Sequence, residues 1–268
     1  MTDTSSNGAV VLVGCGRLGS AILEGWLATS TVEPADLITL TPSDKPATEA
    51  AQARGARINP PLEALGGARA MVLAVKPAKW REAIAPTLEH LPRDAAVISV
   101  MAGVKAGDIA AAAGRPVVRV MPTTGVAQAR GVASLWSDDA GARETARSLF
   151  SAIADVVDLP DEAMMDAATA TAGSAPAFIY AFVQALARAG EAQGLSNDAA
   201  ERLARGALRS AGAGAETGAP LEDLVARIAS PGGTTQAGLD AMETGGDVDR
   251  AARAAVDAAV ARAKEISG

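Results

Sequence analysis

Six consecutive residues, Ser230-Pro231-Gly232-Gly233-Thr234-Thr235, combine the types that can hold a small anion against a reacting centre. Gly232 and Gly233 lack a Cβ and can adopt turns in which successive backbone N–H groups point the same way. Leu221 to Ala229 reads as an amphipathic helix that Pro231 stops, and Gln236 onward reads as another, with Thr234 or Thr235 as its cap. The turn would then sit at the positive end of a helix dipole, where a carboxylate or phosphate fits. The same residues also suit an ordinary corner between two helices.

A second group lies at the other end of the chain. Ala9 to Val13 is a short apolar run of strand character, followed by Gly14-Cys15-Gly16-Arg17-Leu18-Gly19 and the helical pattern Ala21, Ile22, Trp26, Leu27. This is G-x-G-x-x-G between a strand and a helix, the setting in which it binds a dinucleotide. Gly14 makes the tight turn, Gly16 lets a pyrophosphate approach, and Gly19 lets helix and strand pack. The second strand, read at Asp36 to Leu40, ends in Thr41-Pro42-Ser43-Asp44-Lys45 rather than in an acid placed for ribose hydroxyls. Thr41, Ser43 and Lys45, with Arg17 from the glycine loop, suit a 2'-phosphate, so NADPH is preferred and NADH remains possible; Asp44 argues the other way.

The elements that must position these groups alternate in the first half. After the glycine loop come Asp36 to Leu40, a helix near Ala47 to Arg54, Met71 to Val75, a helix around Trp80 to Leu88, Ala96 to Val100, Val117 to Met121, and Val156 to Leu159. The pattern predicts an α/β fold, a Rossmann-type doubly wound parallel sheet over residues 1–160 with ligands at the carboxyl ends of its strands. Ala74-Val75-Lys76-Pro77, Met101-Ala102-Gly103 and Met121-Pro122-Thr123-Thr124-Gly125 fall at such ends. From Asp161 strand signals vanish. Residues 161–268 read as Ala-rich helices interrupted at Pro176, Gly194, Gly218 to Pro220 and Pro231, with a face such as Ala177, Tyr180, Ala181, Gln184 and Ala185 suited to core or subunit contact or to an active-site wall.

Composition narrows the function. Hydrophobic residues make up 49% of 268, enough for a substantial core, and no apolar run is expected to approach membrane-spanning length. A net charge of -7 argues against nucleic acid and acidic membranes as partners. Met1 to Asn7 lacks the basic and apolar regions of a signal peptide, and one cysteine forms no internal disulfide, so cytoplasmic residence is expected. Cys15 and His90, alone of their types, leave no metal cluster and no histidine triad. Cys15 reads as a small residue near the phosphates and His90 as a surface or capping residue. Lys76 reads either as a cofactor contact or as an exposed loop lysine.

Four motifs, Val11-Leu12-Val13-Gly14-Cys15-Gly16, Ala74-Val75-Lys76-Pro77, Thr171-Ala172-Gly173-Ser174-Ala175-Pro176-Ala177-Phe178 and Ser230 to Thr235, occur in this order over the whole chain. Together they resemble pyrroline-5-carboxylate reductase. The resemblance implies a dinucleotide-binding domain followed by an all-helical dimerisation domain, a homodimer or larger homo-oligomer, and reduction of 1-pyrroline-5-carboxylate to L-proline by NAD(P)H. It implies cofactor contacts at Gly14, Cys15, Gly16, Arg17, Leu18, Gly19, Thr41, Ser43, Ala74, Val75, Lys76, Pro77, Met101, Ala102 and Gly103. It places the substrate on Ser174, Ser230, Gly232, Gly233, Thr234 and Thr235, with the carboxylate on the N–H groups of Gly233, Thr234 and Thr235. The Thr235 hydroxyl, matching the family's threonine, becomes the catalytic group that bonds the ring nitrogen.

The chain departs from the family pattern at three places. Pro122-Thr123-Thr124-Gly125 stands where the family often has Pro-Asn-Thr-Pro, Phe178 where it has Tyr, and Ala175 where it has Gly. These departures bear on substrate and turnover more than on fold. They keep two alternatives open, an NADPH-dependent reductase of a related cyclic imine or keto acid, and a catalytically weak NADP-binding regulatory protein.

Overall fold

The computed structural model describes residues 8–267; Met1 to Asn7, read above as a polar start, lie outside the described residues. Two compact units form, one of residues 8–173 with 259–267 and one of Ser174–Ala258.

The first unit is built on β1 (Ala9–Val13), α1 (Arg17–Thr29), β2 (Leu37–Leu40), α2 (Pro46–Ala53), β3 (Arg57–Ile58), β4 (Ala68–Leu73), α3 (Trp80–Ile84), β5 (Ala96–Ser99), α4 (Ala106–Ala113), β6 (Val117–Pro122), β7 (Gly131–Trp136), α5 (Ala140–Phe150), β8 (Ala154–Asp158) and α6 (Met165–Ala168). The sheet order is β3-β2-β1-β4-β5-β6-β7-β8, and only the β6–β7 pairing is antiparallel. Order reverses between β1 and β4, which makes the crevice beyond their carboxyl ends the switch point where ligands collect in such sheets.

All five residues of β1 are buried, as an uninterrupted apolar strand covered on both faces requires. Val10 and Leu12 join one core with Ile22, Trp26, Ile98 and Phe150, while Val11 and Val13 join the other with Met71, Leu73, Trp80 and Ile109. Each large side chain so buried contributes about 1.5 to 3 kcal/mol. Trp26 also spends its one donor well, from Nε1 to the Leu149 carbonyl at 2.7 Å, and meets the Phe150 ring edge-on.

Several sequence expectations need correction. Asp36 ends a 3-10 turn, so β2 starts at Leu37, and β4 ends at Leu73, which frees Ala74 and Val75 for the loop. The helix expected over Trp80 to Leu88 gives way to a 3-10 turn at Ala85, where Pro86 supplies no backbone N–H. Two strands went unread. β3 is only two residues long, and β7 follows a Gly- and Thr-rich loop; being antiparallel to β6, it makes the sheet mixed rather than wholly parallel. The other edges shift by one to three residues, the largest being the start of β4 at Ala68 rather than Met71 and the end of the helix begun at Leu221, at Ala226 rather than Ala229.

The second unit holds α7 (Ala175–Ala192), α8 (Asn197–Ala215), α9 (Leu221–Ala226), α10 (Thr234–Glu243) and most of α11 (Asp247–Ser267). Pro176 does not interrupt the helix as expected. It stands where the π-helical stretch Thr169–Ser174 passes into α7, a local change of hydrogen-bond register in which its missing N–H is accommodated. The continuous segment Glu162–Ala192 is therefore long and apolar enough to cross a membrane by length and composition, against the expectation drawn from apolar runs alone. No residue of α7 is buried, and Ile179, Tyr180, Phe182 and Leu186 are among its exposed apolar side chains.

Arg115 fastens the turns below the sheet. Its guanidinium donates to the carbonyls of Ala113, Leu88, Leu91 and Pro92, closing the ends of two helical segments with one side chain. Replacing it by Met keeps the apolar stem and removes four charge-assisted bonds. Arg115→Met should lower stability by about 2 kcal/mol, read as a lower midpoint in urea unfolding of the first unit's signal; an unchanged midpoint would refute this role.

Candidate functional site

The glycine loop is set by contacts that leave no room for a side chain. Gly14 has φ +93°, and a Cβ there would lie 2.6 Å from the Ala74 carbonyl oxygen; a Cβ on Gly19 would lie 2.2 Å from the Gly14 carbonyl oxygen. Gly14 N–H donates to Leu40 O and Ala74 N–H to Val13 O, both at 2.8 Å, which ties the ends of β1, β2 and β4 together. Gly16, the N-cap of α1, faces open space, no side chain caps the helix, and its first turn holds no acid. These residues fit a dinucleotide pyrophosphate, because open N–H groups and a helix dipole are left without any carboxylate of the chain's own.

Arg17 is the first helical residue and is exposed, and Leu18 packs partly against the core. Cys15 points the other way, into the core. It is 2% exposed, its Sγ lies 3.4 Å from Ser20 Oγ, and burial pushes the thiol above its ordinary value.

A cavity of about 630 Å³ opens beside Gly14, lined by Leu40, Thr41, Pro42, Asn59 and Val75 among others. Thr41 is buried and its hydroxyl donates to Ser43 O, so within this loop the exposed Ser43 and half-buried Lys45 are the groups left to meet a phosphate. Asn59 was missed in the sequence. Its amide accepts from Thr41 N–H at 2.8 Å and donates to Thr41 O at 2.9 Å, clamping the end of β2, and its own φ is +47°. An Asn directly before Pro60-Pro61 was the available signal, since Asn is the type that tolerates left-handed backbone.

At the other strand ends, Ala74, Val75 and Pro77 are half-buried and Lys76 is exposed; Met101 and Gly103 are buried, with Gly103 at φ +75°. Thr123 is buried, its N–H donates to Val132 O, and its hydroxyl accepts from Val132 N–H. A Cβ on Gly125 would lie 2.8 Å from Arg130 O, so this tight loop has no space for a ring at that position as it stands. Both departures are thus absorbed in joining β6 to β7.

In the second unit, Ser230 to Gly233 form a turn closed by Gly233 N–H donating to Ser230 O at 2.9 Å, with Pro231 second and Gly232 at φ +72° third, the geometry of a type II turn. Two expectations change here. The cap of α10 is Gly233, so Thr234 and Thr235 are the first two helical residues and cap nothing. Gly233 N–H is consumed by the turn, and the donors left open are those of Thr234, Thr235 and Gln236, since the first intrahelical bond runs from Ala237 to Gly233. A side chain at Gly233 would strike Ser230 Oγ at 2.7 Å, so that hydroxyl lies over the helix start. Thr235 is half-buried and its hydroxyl has no partner among the described residues; Ser174, half-buried at the start of α7, makes no hydrogen bond with this turn.

A glycine loop at the switch point of a Rossmann-type sheet is the arrangement by which dinucleotide-dependent oxidoreductases hold their cofactor. Residues 9–103 match the family described as NADP oxidoreductase, coenzyme F420-dependent, and residues 162–266 match the one described as pyrroline-5-carboxylate reductase dimerisation. The chain is 35% identical over 269 residues to the pyrroline-5-carboxylate reductase of Thermus thermophilus, covering 96% of this chain and 98% of that one. It is 31% identical over 271 residues to the one from Pseudomonas aeruginosa, covering 96% of each. The solved pyrroline-5-carboxylate reductase of Coxiella burnetii superposes with a TM-score of 0.87 at 27% identity, over 97% of this chain and 99% of that one. The chain belongs to the pyrroline-5-carboxylate reductase family.

The surroundings of Cys15 make it a packing residue. Desolvation favours the neutral thiol, so its contribution to stability is complete at neutral pH and is lost as pH climbs through the raised value. Alkylation of Cys15 by iodoacetamide at mildly alkaline pH should run at least about tenfold slower in the folded protein than in denaturant. Equal rates would place the thiol at the surface.

Proposed function

We propose that this chain reduces 1-pyrroline-5-carboxylate to L-proline with NADPH, the last step of proline biosynthesis. In this reading residues 1–160 hold the dinucleotide, and residues 161–268 bind the substrate and build a homodimer or larger homo-oligomer in the cytoplasm. The observation that carries it is the Ser230–Gly233 turn feeding α10 with three open N–H groups and a free Thr235 hydroxyl. Binding a dinucleotide alone requires none of these.

The chemistry asked of the chain is modest. NADPH, when bound, supplies the hydride for the C=N carbon. The ring nitrogen of a cyclic imine is basic enough to be protonated before or during that event, so no strong acid is needed, and the work of the residues is orientation and exclusion of water. The N–H groups of Thr234, Thr235 and Gln236 take the substrate carboxylate, with the Ser230 hydroxyl over the same helix start. The Thr235 hydroxyl bonds the ring nitrogen, accepting from its N–H when it is protonated and donating to its lone pair when it is not, and fixes which ring face is presented. On the cofactor side, Gly14 to Gly19 cradle the pyrophosphate, and Arg17, Ser43 and Lys45 meet the 2'-phosphate. The match of residues 162–266 to a dimerisation family and an α7 that buries nothing by itself support the oligomer.

NADPH oxidation should be rapid with pyrroline-5-carboxylate and slow with pyrroline-2-carboxylate; the reverse order would move the chain to a related imine, and no turnover with either would leave a binding protein. Because Thr235 caps nothing, Thr235→Ala should leave the helix intact and lower kcat by on the order of a hundredfold, about 2.7 kcal/mol, with NADPH binding unchanged and Thr235→Ser largely active. Turnover by Thr235→Ala within about threefold of the parent would remove this threonine from the mechanism.

Cofactor choice has its own test. Ser43→Glu sets a carboxylate where the 2'-phosphate is expected and should weaken NADPH by about tenfold or more while sparing NADH, as the loss of one charge-assisted bond implies. Equal dissociation constants of the parent for the two cofactors would refute the preference.

A further inference from the structure

Arg119 is a charged residue in the middle of a sheet. It lies on β6 in register with Ser99, the last residue of β5, at the level where β1, β4 and β5 all end. Its side chain is 4% exposed, and Nη1 donates to Glu162 Oε1 at 3.1 Å. Nε and Nη2 have no partner, so Glu162 is its only counter-charge among the described residues. The same carboxylate oxygen accepts from Ala106 N–H at 2.7 Å. Ala106 is the first residue of α4, whose N-cap, Lys105, offers no capping side chain. One oxygen thus caps α4 from a remote part of the chain and neutralises a buried cation.

The arrangement is asymmetric. A buried guanidinium left without its counter-charge is strongly disfavoured, which holds Glu162 in place, and Glu162 in turn holds the start of α4. The loop from Met101 to Lys105 is then pinned at both ends, by Val100 N–H on Leu73 O at 3.1 Å and by Ala106 N–H on the carboxylate. The adenosine side of the dinucleotide crevice is marked by Thr41 and Asn59, beyond β2 and β3. Met101 to Gly103 stand beyond β5, on the opposite side of the switch point, where the nicotinamide belongs.

We propose that Glu162 is a positioning residue for hydride transfer: held by Arg119, its carboxylate sets the Met101-to-Lys105 loop against the nicotinamide side of the crevice, and turnover depends on that setting. The inference rests on the reading of the chain as an NADPH-dependent reductase.

The test removes both charges together, in Arg119→Met/Glu162→Met, so that neither is left orphaned. The double variant should melt within about 5 °C of the parent, because apolar replacement of a buried pair is often neutral, and should bind NADPH within about threefold. Its kcat should fall at least about tenfold, as displacement of a positioning element does, with faster amide exchange confined to residues 101–106. A kcat within about twofold of the parent, or unchanged exchange over 101–106, overturns the proposal. If the double variant does not fold, Glu162→Asp decides, since it keeps the counter-charge but withdraws the oxygen from α4: lowered kcat supports the proposal and unchanged kcat overturns it. A parent that does not turn over pyrroline-5-carboxylate defeats the reading of function instead, and exchange at 101–106 still decides the role of Glu162.

Discussion

The first unit depends on a place where the end of β1, the start of α1 and the loop after β4 meet around two glycines. A methyl group on Gly14 would strike the Ala74 carbonyl, and one on Gly19 would strike the Gly14 carbonyl. That contact lets α1 begin directly on the ends of β1 and β4, and it makes the helix start, the loop and the switch point one object rather than three. Strand order, the buried run of β1 and the inward turn of Cys15 all accommodate it. The cofactor side of the site is therefore backbone geometry first and side-chain chemistry second.

Charge is withheld where ligands are expected. In this acidic chain most helices carry an Asp or Glu in the first turn or, like α5, an Asp cap. The exceptions, with neither an acid there nor a side-chain cap, are α1, α7 and α10. Of these, α7 continues the π-helical stretch before it and has no open start, whereas α1 and α10 begin beside Gly16 and at Gly233, positions proposed for pyrophosphate and substrate. An acid near a helix start adds about 0.3 to 1 kcal/mol of stability, so leaving it out keeps the dipole available to an external anion.

Much of this was legible in the sequence because it is local. Val11, Leu12 and Val13 running into Gly14-Cys15-Gly16 state a strand, a turn and a helix start in one stretch, and Pro231-Gly232-Gly233 states a turn. What stayed hidden depends on partners far along the chain. Asn59 clamps a loop 18 residues away, and Glu162 caps a helix 56 residues away, so neither bond leaves a periodic trace. β7 was missed because its place between β6 and β8 is set by those neighbours more than by its own residues. The error at Thr234 and Thr235 has a simpler origin: several adjacent residues can cap a helix, and the turn hydrogen bond to Gly233 decides among them.

The bare surface of α7 has a thermodynamic consequence. A helix of 18 residues that buries none of them, with Phe182 and Tyr180 open to water, gains little from folding within one copy of the chain. In the homo-oligomer proposed above, the free energy that orders this helix would come from the second copy. Folding of that part and association then become one equilibrium governed by mass action, so apparent stability depends on protein concentration. Dilution alone would act on such a protein as a mild denaturant.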